Sequence, residues 1–311
     1  MPISIPSVRF AHRLQYAAAR LVLGVLAALP RRWARSVGAG IGWLAFWFHR
    51  RLRHVGRRNL ELVFRDRAPA ECEAILRGTF RHLGWLLAEF ARFPQQTPET
   101  IEQVIVYDGY ENYQRATAAG KGVLYLTAHF SAWELGSFAH SVHGHPVAYL
   151  NRPLDNPLVD TLVNRYRCLW GNVAVDRRDS ARSVLERLRR GDAVGILMDQ
   201  NVLPEEGMVF APFLGLPAAT TTGLARFALR TGAAVLPSFV LWEEKLGKYR
   251  LRFDPPLDLT ATGEAEADLA AATALFNQVI ESYVRRYPDQ WLWVHRRWRT
   301  RPPGELSLYS V

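Results

Sequence analysis

Two apolar stretches open the chain, Leu14–Pro30 and Val37–Phe48, and the pattern changes after Arg50. Over Ala70–Arg92 the apolar residues Ile75, Leu76, Phe80, Leu83, Leu86 and Leu87 recur at helical spacing and predict one long helix. Beyond it, short runs rich in β-branched residues predict strands at Val104–Tyr107, Val123–Thr127, Val147–Leu150, Val173–Val175, Ala193–Met198, Val235–Leu241 and Tyr249–Phe253. Helical segments fall between them at Tyr110–Ala119, Ala132–His140, Pro157–Leu169, Ala181–Arg190 and Thr221–Thr231, with a last helix over Glu264–Tyr287. Alternation of this kind implies an α/β fold, with a mostly parallel central sheet flanked by helices. Residues 1–60 read as amino-terminal membrane-anchoring helices and 61–311 as the α/β domain. In such sheets ligands bind at the carboxyl ends of the strands, which is where catalytic residues are to be sought.

Charge sharpens the reading of the first segment. The chain carries 39 basic and 29 acidic residues, and residues 1–60 hold eleven arginines with no Asp, Glu or Lys. The remaining 28 basic and 29 acidic residues nearly cancel, so the excess positive charge lies in the first fifth. A membrane-spanning helix needs ~20 mainly apolar residues. The first stretch is slightly short and contains Arg20, and the second has twelve residues. Helices lying in an anionic bilayer surface fit better, with Trp33, Trp43, Phe46, Trp47 and Phe48 entering the acyl region and arginines meeting headgroups. A nucleic-acid arm is the rival use of such charge, but tryptophan-rich apolar helices are costly to leave in water. Aromatic (12%) and apolar (49%) content excludes a disordered chain. Two lone cysteines, Cys72 and Cys168, exclude a disulfide scaffold and suit a reducing compartment.

The candidate chemistry begins where the strand Val123–Thr127 ends, at His129-Phe130-Ser131-Ala132-Trp133-Glu134. An imidazole just past a strand, with a carboxylate five residues on, is a workable base and orienter. The same residues also fit a capping box, in which Ser131 and Glu134 satisfy the first N–H groups of the next helix. His140, His143 and His145 have a spacing open to metal ligation, yet lack a neighbouring carboxylate and suit a helix carboxyl end equally well, so no metal is expected. A Gly-x-Ser-x-Gly elbow is missing, and neither cysteine has an adjacent histidine, so a covalent acyl-enzyme need not be invoked.

Several segments in order resemble the bacterial lipid A biosynthesis acyltransferases, within the wider H-x4-D/E acyltransferases. They are the His129–Glu134 box, Asn151-Arg152-Pro153-Leu154-Asp155-Asn156-Pro157, Asp199-Gln200 after a strand, Phe210–Gly215 with Ala218-Ala219-Thr220, and Gln290–Trp298. The resemblance covers Leu14 to Pro302. It implies a glycerolipid-acyltransferase-like fold and transfer of a fatty acyl chain from an acyl carrier protein thioester to a hydroxyl of a lipid A-type glycolipid. It implies no cofactor beyond the phosphopantetheine carried by the donor, and places the enzyme at the cytoplasmic face of a bacterial inner membrane. His129, oriented by Glu134, would be the general base, and Arg152 the oxyanion donor because it follows the next strand and is always charged. Asn151, Asp199 and Gln200 would contact substrate, and Asp199 and Gln200 would alternatively support His129. Trp291, Trp293 and Trp298 with Arg296 and Arg297 would meet an anionic headgroup or the acidic carrier. Other acceptors (a phosphatidylinositol mannoside, an ornithine lipid or a lysophospholipid) and a coenzyme A donor fit the same residues. No nucleic-acid partner is expected; a basic nucleic-acid-binding α/β protein and a metal-dependent hydrolase are the readings from other classes.

Overall fold

The computed structural model describes residues 8–176 and 180–309. Four helices come first: α1 (Phe10–Ala28), α2 (Arg31–Phe48), α3 (Arg50–Val63) and α4 (Pro69–Ala91). A short α5 (Pro98–Ile101) leads into β1 (Ile105–Asp108), α6 (Tyr110–Ala118), β2 (Val123–Thr127), α7 (Trp133–Val142), β3 (Val147–Asn151), α8 (Pro157–Arg167), β4 (Val173–Asp176), α9 (Ser180–Arg189) and β5 (Ala193–Leu197). The hairpin β6 (Met208–Phe213) and β7 (Leu216–Thr221), α10 (Gly223–Thr231), β8 (Ala234–Glu243), β9 (Lys248–Phe253) and α11 (Ala265–Arg286) complete the order.

Among the described residues seven strands form one sheet in the order β1-β9-β8-β2-β5-β3-β4. Every neighbouring pair is parallel except β8–β9, as the strand–helix alternation implies. α6 and α7 cover one face, while α9 and α10 cover the other. The sheet is therefore buried on both sides at its centre, where β2 and β8 are nearly continuous apolar runs, while the edge-side β9 alternates Lys248, Arg250 and Arg252 with buried Tyr249, Leu251 and Phe253. The strand β2, with Val123, Leu124, Tyr125 and Leu126 all buried, sits near its centre.

The hairpin was not anticipated. Its two-residue turn, Leu214-Gly215, has φ of 52° and 82°. That is the handedness that joins twisted antiparallel strands without splaying them. The hairpin takes residues up to Thr221, so α10 starts at Gly223 rather than at Thr221.

The amino-terminal helices are built into the domain. Residue 60, the expected boundary, falls inside α3. Leu23, Leu26 and Ala34 share a core with β2, β8 and β9, whereas Phe46, Val55 and Leu60 share one with Trp293 and Phe213. α2 lies on α4 along a seam of small residues: a Cβ on Gly84 would stand 2.0 Å from the Gly38 carbonyl, and one on Gly42 would stand 2.1 Å from that of Phe80. Beside the seam, Glu89 is buried under Arg31, whose guanidinium lies at 2.8 Å, and Arg35 stacks between Trp85 and Trp242. Those two arginines thus serve α2–α4 packing instead of meeting headgroups.

The aromatic face of α2 divides similarly. Phe46 is core, edge-on to Phe80. Trp33, Trp43, Trp47 and Phe48 are exposed, as are Phe10, Leu14 and Leu21 of α1 and the neighbouring Arg13, Arg20, Arg32, Arg50 and Arg51. Among the described residues no helix is long and apolar enough to cross a membrane.

Candidate active site

β2 and β5 are neighbours in register, with Thr127 opposite Leu197. Two residues further along each strand stand His129 and Asp199, so the pairing carries both side chains to one point on the carboxyl edge. The Met198 amide donates to the Thr127 carbonyl at 3.0 Å and closes the ladder just below them. His129 Nδ1 lies 2.7 Å from Asp199 Oδ1, while the His129 backbone N–H and the Trp291 indole N–H donate to Oδ2 at 3.0 and 2.8 Å. Burial by itself would raise the Asp199 carboxyl, but the charge and hydrogen bonds supplied by His129, with the indole, outweigh it and hold it down at about 2. A carboxylate so placed fixes the proton on Nδ1 and leaves Nε2 as the acceptor. Gln200 Nε2 lies 3.3 Å from that nitrogen, consistent with an amide donor facing a lone pair.

The carboxylate bonded to His129 is thus Asp199, and the expectation that Glu134 would hold the ring is corrected. Glu134 is drawn to Arg167, whose Nε donates to it at 2.7 Å, and it accepts the Trp133 indole N–H at 3.1 Å. Trp133 packs edgewise on the His129 ring, with centroids 4.9 Å apart. Glu134 therefore reaches the imidazole through an intervening indole. The helical turn explains this: α7 begins at Trp133, and its first turn aims Glu134 sideways at α8.

The capping box does not form either. Ser131 has a φ of 47°, uncommon for a residue with a side chain. Its amide donates to the Gln290 carbonyl at 2.7 Å, and its hydroxyl is hydrogen-bonded to buried His82 Nδ1 at 2.9 Å. Together with the bridge between Phe130 and Trp291, these bonds set the loop that carries His129.

The carboxyl-terminal segment is a scaffold below the site. Trp291, Trp293 and Trp298 are fully buried, so the expectation that they face an interface is corrected. Arg297 is corrected as well: it has no exposed surface, and its guanidinium donates to the Ala219 carbonyl and the Thr220 hydroxyl, each at 2.7 Å, and to the Gln200 carbonyl at 3.3 Å. It pins the hairpin to the loop after β5. The Asn201 amide donates to His295 Nε2 at 3.0 Å, holding the same loop from the other side. Arg296 behaves differently and lines the cavity.

That cavity, of about 1150 Å3, runs over the carboxyl edge of the sheet. His129, Glu134, Arg152, Gln200, Arg296 and Arg299 stand in its wall. Arg152 is exposed there and follows β3 as expected. The side chain of Asn151 lies outside the described residues. Asn156, in the same segment, caps α8 by accepting the Leu158 and Val159 amides, and it donates to the His12 carbonyl of α1.

Two of the three histidines at the end of α7 are tied up in hydrogen bonds to tyrosines, and His143 packs edgewise on Tyr107. His140 is bonded through Nδ1 to Tyr107 and through Nε2 to Tyr125, and His145 is bonded to Tyr110 and Tyr113. Among the described residues no cluster of three or more His, Cys, Asp and Glu is arranged to hold a metal.

Sequence reasoning missed Arg167 as the partner of Glu134 and Trp291 as a donor to Asp199. Neither has a local signal, because each lies more than thirty residues from the group it serves.

Comparison with known proteins shows which family the chain belongs to. Residues 6–300 match the family described as bacterial lipid A biosynthesis acyltransferase. The chain is 32% identical over 289 residues to a lipid A biosynthesis palmitoleoyltransferase of Escherichia coli (strain K12), covering 93% of this chain and 92% of that one. It is 31% identical over 293 residues to a lipid A biosynthesis lauroyltransferase of the same strain, covering 93% and 92%. With a lipid A biosynthesis myristoyltransferase of that strain it shares 26% identity over 285 residues, covering 92% and 87%. With a histidine–carboxylate pair at the mouth of a large cavity and a match along nearly its whole length, this acyltransferase belongs to the bacterial lipid A biosynthesis acyltransferase family.

Proposed function

We propose that the protein moves a fatty acyl chain from an acyl carrier protein thioester to a hydroxyl of a lipid A-type glycolipid, with His129 as general base. The observation that carries this reading is the bond between Asp199 and His129 Nδ1, which leaves Nε2 facing the cavity-lining Gln200. Nε2 takes the acceptor proton as the oxygen attacks the thioester carbonyl. The tetrahedral intermediate collapses, the C–S bond breaks, and the leaving thiolate recovers the proton from the imidazolium. Ester and free thiol are the products. Asp199 stabilises the imidazolium between the two transfers, as a buried carboxylate does in a catalytic triad.

Arg152 is the proposed donor to the oxyanion, being a permanent cation on the cavity wall. Glu134 is a positioning residue: it holds the indole that packs on His129 and pairs with Arg167. Gln200 orients the incoming hydroxyl, and Arg296 binds an anionic part of either substrate. The exposed aromatic and basic residues of α1 and α2 lie on the cytoplasmic surface of the inner membrane, where the acceptor is anchored.

The test uses the protein purified in detergent, offered a lipid A precursor and acyl carrier protein or coenzyme A carrying C12, C14 or C16 chains, with products read by mass spectrometry. We expect an ester product with the carrier-protein donor, and a loss of about 10²–10⁴-fold in kcat for His129→Ala with its circular dichroism unchanged. Transfer by His129→Ala at the wild-type rate overturns the mechanism.

A further inference from the structure

The wall of the cavity is not uniform. Arg51, Arg152, Arg296 and Arg299 stand at its rim, on the carboxyl side of the sheet. Below His129 the cavity descends between α7 and the sheet, where Tyr125, Gly136, Val147, Val240, Leu251 and Phe253 line it without a formal charge. We propose that this arm receives the hydrocarbon tail of the acyl donor, and that Tyr125, His140 and Gly195 set the length of chain it admits. The inference rests on the acyl-transfer reading above and assigns a part of the site to one substrate group.

Three features make the arm a measuring device. First, its wall is unusually close to the sheet: a Cβ on Gly136 would lie 2.6 Å from Val240 Cγ2, so only glycine lets α7 approach this far.

Second, its floor is a hydrogen-bonded pair. The Tyr125 hydroxyl lies 2.9 Å from His140 Nε2, and the Tyr107 hydroxyl lies 3.0 Å from Nδ1. Burial pulls the His140 imidazole down to about 3, so the ring is neutral and one tyrosine donates to it while the other accepts. A longer tail would have to part this pair and leave buried polar groups unsatisfied.

Third, Gly195 faces Tyr125 across the β2–β5 ladder, and a Cβ there would meet Val147 Cγ1 at 3.4 Å, an ordinary contact. A side chain at 195 therefore fits the sheet and fills the arm instead. The floor is four residues back from His129 along the strand direction, roughly 13 Å at ~3.3 Å per residue. At ~1.3 Å per carbon of a zigzag chain, that depth suits about ten carbons beyond the reacting end of the donor.

The experiment compares carrier protein loaded with C10, C12, C14 and C16 chains, using the full-length protein in detergent and the same glycolipid acceptor. The wild type is expected to use C12 with a higher kcat/KM than C16. Gly195→Val should lower kcat/KM for C16 relative to C10 by about tenfold or more. Tyr125→Ala should move that ratio the other way. Gly195→Ala should shift it less, in the same direction as valine, and carries the test if the valine protein fails to fold. A wild type that prefers C16, or variants with an unchanged profile or an equal loss on every donor, overturns this inference alone. A wild type that transfers no chain from any donor overturns the acyl-transfer reading and this inference with it.

Discussion

His129 and Asp199 are seventy residues apart and owe their contact to strand register. Both stand two positions beyond Thr127 and Leu197, which face each other across β2 and β5. Glu134, the nearer carboxylate in the chain, is aimed away by one turn of helix. Two substitutions separate their roles. Asp199→Asn should lower kcat on the order of 10²–10⁴-fold, because an amide no longer fixes the Nδ1 proton or stabilises the imidazolium. Glu134→Gln should cost about tenfold, equivalent to ~1.4 kcal/mol of lost positioning. Steady-state kinetics on both proteins, with folding followed by circular dichroism, decides the matter. A larger loss for Glu134→Gln would return the orienting role to the residue that sequence spacing favours.

At the scale of elements, α2 does two jobs with opposite faces. Its inner face, Ala34, Gly38, Gly42 and Phe46, is buried against α4. Gly84→Val would push side-chain atoms into the Gly38 backbone, and overpacking of this kind costs about 1–3 kcal/mol. Thermal unfolding should show that loss, whereas an unchanged midpoint would mean that the seam relaxes freely. The outer face carries Trp43 at 61% and Phe48 at 79% exposure. We expect Trp43→Glu with Trp47→Glu to weaken binding to anionic vesicles by about tenfold, since both apolar burial and charge attraction suffer. Co-sedimentation measures it, and undiminished binding would remove α2 from the membrane contact. The apolar stretches and the arginines among them pointed to helices with one apolar and one basic face. It did not reveal that Arg31 and Arg35 belong to the inner face, because their partner, Glu89, lies on another helix.

Across the whole molecule, burial has suppressed the charging of several histidines. It holds His82 and His140 down at about 3 and His295 at about 4, against an ordinary 6.5. In each case the unfolded chain binds a proton that the folded chain refuses, so stability falls as pH drops below about 6.5. Each group contributes a loss of about 2 kcal/mol on going from pH 7 to pH 5. Asp199 has the depressed-carboxylate sign: its contribution is complete above about pH 4 and disappears as pH falls through about 2. Thermal midpoints in detergent should therefore drop steeply between pH 7 and pH 5, and a flat profile would show that these rings are not buried neutral.

The strands, the helices between them and the motif at His129 could be read from the chain because hydrophobic periodicity and β-branching are local properties of consecutive residues. The hairpin at 208–221 escaped because Leu214 adopts a left-handed turn without a local marker of its own. What only the tertiary structure decided is who meets whom. Strand order brought Asp199 to His129, helix phase sent Glu134 to Arg167, and the packed core took Arg297 and the three tryptophans that composition alone assigned to a surface. Residue types constrain the chemistry a chain can perform, but a hydrogen bond forms only where the fold supplies the distance.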